Sequence, residues 1–186
     1  MNVDRHLINK CIEKNNKAQQ ALYETCFAYF MSICRRYSRD DQEAMSLLNL
    51  GFYKVLVGLS KWKDHIPFKT WAKRVLVNAI IDEYRKNKKY KAVEYHPEHM
   101  EIGSQQEHST HNLSDNIWAE EEILEWTRSL PAMTAQVFNL YAVEGYPNDE
   151  IAEKLNITEV TVRWHIYEAR KRLKIYLKQT LNVNKV

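Results

Sequence analysis

The stretch EIAEKLNITEVTVRWHIYEARKRL, Glu150 to Leu173, divides at a single asparagine. Before it, Ile151, Ala152 and Leu155 share one helical face. Asn156 stands where a sharp reversal needs a left-handed residue, which asparagine tolerates better than most. Ile157 plugs the turn, and Thr158 is placed to cap the next helix. After it, Val162, Ile166, Ala169 and Leu173 fall on one buried stripe. Glu159, Val160, Thr161, Arg163, Trp164 and His165 are left to face outward. A tight turn with a small residue, here Ala152, is what a helix-turn-helix requires. Its second helix would offer its first residues to base edges and its basic end, Arg170 to Lys174, to phosphates. A plain helical hairpin with a cationic face is the alternative. Trp164 has two readings: an outward ring that packs on a thymine methyl or a sugar, or a ring packed on Tyr167 or a neighbouring domain.

Working outward, the whole chain reads as helix, with no strand alternation. Val137, Phe138, Tyr141 and Ala142 give an apolar face that Gly145 ends. Ile117, Trp118, Ile123, Leu124 and Trp126 precede it. Towards the N-terminus, Phe68, Trp71, Ala72, Val75, Leu76, Ala79 and Ile80 mark the buried face of one long helix, with Pro67 at its first position. Arg74, Asn78, Ile81 and Arg85 form a stripe on another face of that helix. Leu47, Leu48, Phe52, Val55, Leu56 and Leu59 give an earlier stripe that tolerates Gly51 inside it. Leu22, Phe27, Phe30, Ile33, Cys34 and Tyr37 belong to a longer one, and Leu7, Ile8, Cys11 and Ile12 to a short first one.

Charge is distributed unevenly. Residues 1–89 carry 17 basic and 9 acidic side chains, residues 90–125 one and nine, and residues 126–186 nine and six. Two basic blocks thus flank an acidic one. The basic blocks suit a phosphate-bearing partner or an ordinary solvated surface. Residues 90–116 lose all periodicity and gain Ser, Gln, His and acidic residues, which is linker composition. The expected organisation is therefore all-α: a helical domain at 1–89, an acidic flexible linker at 90–116, and a four-helix domain with a helix-turn-helix at 117–181.

Several function classes are excluded on composition. His96, His99, His108 and His111 stand in the linker without a cysteine, so solvated histidines are expected rather than a metal site. Cys11, Cys26 and Cys34 are odd in number and unpaired in spacing, as reduced core thiols would be. No nucleophile–base pair or phosphate-cradling glycine loop appears, so no enzyme, cofactor or small-molecule substrate is expected. No apolar stretch is long enough for a membrane span and no signal peptide opens the chain, so a cytoplasmic protein is expected.

Two segments together carry a resemblance. F-x-x-W-A-x-x-V-x-x-N-x-x-x-D-x-x-R-K runs from Phe68 to Lys86, and L-P…V-F-N-L…E-G-Y…E-I-A…L-N-I-T…T-V…A-R-K-R-L from Leu130 to Leu173. Their order and spacing resemble bacterial RNA polymerase sigma factors of the extracytoplasmic-function type. The resemblance implies binding to core RNA polymerase, promoter DNA as ligand, and an anti-sigma factor as a further partner. It places reading of the −35 element on Glu159, Val160, Thr161, Arg163, Trp164 and His165, with Arg170 on phosphate. It places reading of the −10 element on the 62–67 loop, with Trp62 and Lys63, and on Asn78, with Arg74, Arg85 and Lys86 near the backbone. Strand opening would then proceed by capture of bases flipped from the stack.

The chain departs from that family in three places. Where the third helix usually carries a motif like D-L-x-Q-E, the residues here are Ser46, Leu47, Leu48, Asn49 and Leu50. Polymerase contact is therefore expected on Leu47, Leu50, Phe52 and Tyr53. Pro147 replaces the usual capping serine, and Trp164 stands where the reading helix usually has a small residue. A stand-alone helix-turn-helix regulator and a helical protein-binding adaptor are the competing functions.

Overall fold

Helix caps written into the sequence set the element boundaries of the computed structural model. It describes residues 3–90 and 120–183, with side chains for 3–87 and 123–178. The described residues hold helices and no strand. In the first half these are α1 (Arg5–Ile12), α2 (Asn16–Arg35), α3 (Asp41–Gly58) and α4 (Phe68–Tyr90). The Asn15 side chain accepts from Ala18 N at 3.0 Å and starts α2, while Asp40 accepts from Glu43 N at 2.7 Å and starts α3. Glu43 reaches back to Arg39 N, satisfying a second free donor. Pro67 lies just outside α4, not at its first position: its carbonyl accepts the first helical bond, from Trp71 N at 3.1 Å.

Helices α2, α3 and α4 pack in sequence against one another. Leu22, Cys26, Phe30, Ile33 and Cys34 of α2 meet Leu47, Leu48, Phe52 and Val55 of α3 and Leu76, Val77 and Ile80 of α4 in one buried cluster. Gly51 explains the closeness of α3 and α4, because a Cβ there would overlap Leu76 Cδ1. Mid-helix glycine costs about 1 kcal/mol relative to alanine, and here the close approach offsets it. The three cysteines are free and buried. Burial disfavours the thiolate and pushes the Cys26 and Cys34 thiols up to about 12.

The second half comprises α5 (Glu120–Ser129), α6 (Ala132–Phe138), α7 (Asn148–Leu155) and α8 (Glu159–Val183). Between α6 and α7, Asn139–Val143 form one wide π turn, closed by Glu144 N on Asn139 O at 3.0 Å. The extra residue rotates the face expected from helical spacing. Asn139 and Leu140 turn inward, and Tyr141 and Ala142 turn out to solvent. Gly145 then reverses the chain at φ 77°, a conformation that costs glycine little.

Buried apolar residues of the two halves are continuous. Val137, Leu140, Ile151, Ala152, Leu155, Val162 and Ile166 belong to the same cluster as α2, α3 and α4. A smaller cluster of Trp126, Leu130 and Ala169, with Phe138 and Leu173 against it, sits between α5, α6 and α8. The acidic stretch with His96, His99, His108 and His111 lies outside the described residues, as do Ile117 and Trp118. Among the described residues there is no group of three or more potential metal ligands, and no helix is long and apolar enough to cross a membrane.

Candidate nucleic-acid interface

The turn between α7 and α8 forms as its residues dictate. Asn156 takes φ 53°, ψ 54° and ends α7. Ile157 N donates to Ala152 O at 3.0 Å, closing the reversal over that small residue. Thr158 Oγ1 accepts from Thr161 N at 3.2 Å and caps α8. Pro147, at the start of α7, makes no side-chain cap, and Asp149 and Glu150 in the first turn complement the helix dipole instead.

The exposed start of α8 carries Glu159, Val160 and Arg163, with Thr161 half-buried beside them. Arg163 pairs with Glu159 at 3.2 Å across one turn. Such exposed pairs are weak, so the guanidinium is readily exchanged for a stronger acceptor. Further along, Arg170, Lys171, Arg172 and Lys174 are exposed. Arg170 lies over the Tyr141 ring, 5.6 Å from its centre, which steadies the guanidinium.

Two of the expected reading residues sit otherwise. His165 is a core residue, 8% exposed, and its Nδ1 meets Thr134 Oγ1 at 3.0 Å. The reason is angular: position 165 lies one turn from Val162 and Ala169, on the edge of the buried stripe. Trp164 is half-buried and sets its ring edge-on to the His165 ring at 4.8 Å, rather than on Tyr167, which is exposed. His165→Ala is accordingly expected to strand the Thr134 hydroxyl and cost about 1–3 kcal/mol. Chemical denaturation would read that loss. Start-site choice in transcription is expected to stay the same, and a changed choice would return His165 to the DNA.

On α4, Arg74, Arg85 and Lys86 are exposed and Asn78 is half-buried. Ile81, assigned to the same stripe by spacing, is buried. The 62–67 loop is pinned by Trp62, whose Nε1 donates to Ile66 O at 2.8 Å and whose ring meets Phe68 edge-on. Arg5 also lies over the Trp62 ring and pairs with Asp64. Trp62 is therefore a half-buried strut of the loop, while Lys63 beside it is exposed. Phe68 is buried and Trp71 half-buried, facing Gly58.

Leu47 and Phe52 are core residues of α3 and do not reach the surface. They fall on the same helical face as Leu48 and Val55, which packs them inward. The exposed apolar face of α3 is instead Tyr53, 60% exposed, and Val57, 62% exposed, with Met45 and Asn49 a turn or two before them. Leu50 lies at its edge. Met45, Asn49, Tyr53 and Val57 recur every four residues, a signal present in the sequence but masked by the apolar character of the whole helix.

Comparison with known proteins gives this geometry a family. Residues 22–90, from α2 through α4, match the family model of Sigma-70 region 2. Residues 120–173, from α5 into α8, match that of Sigma-70, region 4. The chain is a sigma factor of the extracytoplasmic-function type. It is 25% identical over 145 residues to the ECF RNA polymerase sigma factor SigM of Bacillus subtilis (strain 168), spanning 78% of this chain and 86% of that one. Two solved structures are similar at 17% identity. One is CnrH in complex with the cytosolic domain of CnrY, with TM-score 0.46 and coverage of 95% and 97% of the two chains. The other is the sigma factor RpoE in complex with the anti-sigma factor NepR from Bartonella quintana, with TM-score 0.48 and coverage of 86% and 96%. As a sigma factor, the chain directs promoter-specific initiation of transcription. Region 2 supplies α4 and its basic stripe, and region 4 supplies the α7–α8 unit.

Proposed function

We propose that residues 117–181 read the −35 element through Glu159, Val160, Thr161 and Arg163, with Arg170 on phosphate and Trp164 at the margin. Residues 1–89 read the −10 element through Asn78 and the 62–67 loop, where Trp62 holds the shape and Lys63 faces the ligand. Arg74, Arg85 and Lys86 run along the backbone of the DNA. Residues 90–116 join the two halves. Core RNA polymerase docks on the α3 face that presents Tyr53, Leu50, Met45 and Val57; apolar burial there stands in for the acidic residues absent from positions 46–50. An anti-sigma factor is the further partner proposed for the chain, and the cytoplasm is its place of action. The chain makes and breaks no bond, and polymerase supplies the chemistry.

The observation that carries this function is the pairing, in one chain, of an exposed basic helix-turn-helix with the Arg74–Asn78–Arg85 stripe on a helix of the other half. A phosphate-directed surface in each half suits two separated contacts on one duplex. Run-off transcription from a genomic library tests it. Core enzyme plus this chain is expected to give discrete promoter-dependent transcripts, and the two are expected to co-elute. Absence of both would sink the proposal, while tight duplex binding without core would favour a stand-alone regulator.

A further inference from the structure

Arg5 stands at the start of α1, ahead of the stretch matched to Sigma-70 region 2. Nothing in α1 itself calls for it. A cation in the first turn opposes the helix dipole, and Asp4 before it makes no side-chain cap. Its partners lie in the 62–67 loop instead. The guanidinium sits over the Trp62 ring, 5.0 Å from its centre, and Nη1 donates to Asp64 Oδ1. Within the loop, Trp62 Nε1 donates to Ile66 O at 2.8 Å and Ile66 N donates to Lys63 O at 2.9 Å. The Trp62 ring meets Phe68 edge-on, with centres 5.6 Å apart. The loop is thus held from the α4 side by Phe68 and from the α1 side by Arg5. Helix α1 is a firm base for that hold, because Ile8 and Cys11 share the core cluster with Leu59, and Leu7 packs against it.

We infer that Arg5 is a positioning residue for the −10 reader: by holding the Trp62 ring and the Asp64 carboxylate from α1, it sets the shape of the 62–67 loop and so which unstacked base that loop accepts. The inference rests on the reading of the −10 element by that loop proposed above. A site discriminates between bases only while its walls are held in place, and a loop freed on one side can adjust to several. Charge adds a second reason. Asp64 is an exposed acid in a loop whose ligand carries phosphates. Pairing with Arg5 neutralises it and draws it towards α1, whereas an unpaired carboxylate repels the incoming strand. Both contacts of Arg5 are weak at a surface, so their loss alters the loop and leaves the fold standing. The packing of the two halves is also untouched. It is tied elsewhere, by buried Glu144 between Lys73 Nζ at 2.6 Å and Arg36 Nη2 at 3.4 Å, and neither cation belongs to α1 or the loop.

The test uses the full chain with core polymerase. A promoter found by genomic run-off is randomised over its −10 element behind a fixed −35 element, and sequencing the transcribed templates gives the base preference at each position. Trp62→Ala removes the strut of the loop and marks the positions the loop reads. At those positions Arg5→Ala is expected to reduce the ratio of best to second base by about threefold to tenfold. Lys10→Ala removes the same charge from an exposed site at the other end of α1 and is expected to leave the ratio as it is. Arg5→Lys keeps a cation beside the ring and the carboxylate and is expected to recover most of the ratio. In Trp62→Ala, the further change Arg5→Ala is expected to do less than it does alone, because the two residues act through one loop. An unchanged ratio in Arg5→Ala overturns the positioning role. So does a uniform loss of affinity for all bases with a salt slope lower by about 0.9, which is the mark of a direct phosphate contact. If Trp62→Ala alters no −10 position, the reading by the loop fails and the positioning role falls with it. If Trp62→Ala alters positions that Arg5→Ala leaves alone, the reading stands and only the positioning role fails.

Discussion

Reversing Arg163 and Arg170 together, Arg163→Glu with Arg170→Glu, is expected to lower promoter-dependent transcription by about 100-fold or more. Each phosphate contact contributes roughly 0.9 to the slope of log affinity against log salt, and a good base contact contributes about 1–3 kcal/mol. The reversal removes two attractive contacts and sets two repulsive ones in their place. Stability is expected to fall by only about 1 kcal/mol. What is lost in the fold is the exposed Arg163–Glu159 pair and the Arg170–Tyr141 contact, both weak at a surface. Transcription by core enzyme and a thermal melt, run side by side, check the two halves of the expectation. Unchanged transcription from a folded double variant would favour a protein-binding adaptor and remove α8 from the DNA.

Phe30→Ala is expected to cost about 3–5 kcal/mol, the full range for an aromatic ring removed from a core. Phe30 is fully buried in α2, against a cluster that continues through α3 and α4 into α6, α7 and α8. At roughly 2–4 °C per kcal/mol for a chain of this size, the melting temperature falls by about 6–20 °C. Because the cluster is shared, α7 and α8 are expected to lose structure in the same transition as α2. Hydrogen exchange at the amides of Ile151 and Val162 would follow it. Protection of those amides surviving after α2 has melted would show the halves unfolding separately.

The α7–α8 unit is legible residue by residue. Asn156, Ala152, Thr158 and the Val162–Ile166–Ala169 stripe each act through neighbours within a turn or two, so their roles follow from local spacing. His165 is not legible in that way. It sits on the margin of the stripe, and only the arrival of Thr134 from α6 turns it inward. Leu47 and Phe52 show the converse. Their spacing already places them on the apolar stripe of α3, and assigning them to a partner surface sets aside that stronger local signal. Spacing misplaces Tyr141 and Ala142 because one extra residue in a π turn shifts helical phase, and composition carries no mark of that shift.

Helical class, the turn at Asn156, the basic positions Arg74 and Arg85 beside Asn78, and the family all follow from the order of residues, because each rests on periodicity or motif order along the chain. The partners of Glu144 do not. Lys73 and Arg36 are 71 and 108 residues away from it, and no local rule relates charges at that separation. Their meeting depends on how two apolar faces pack, and packing is set by shape in three dimensions rather than by spacing in one.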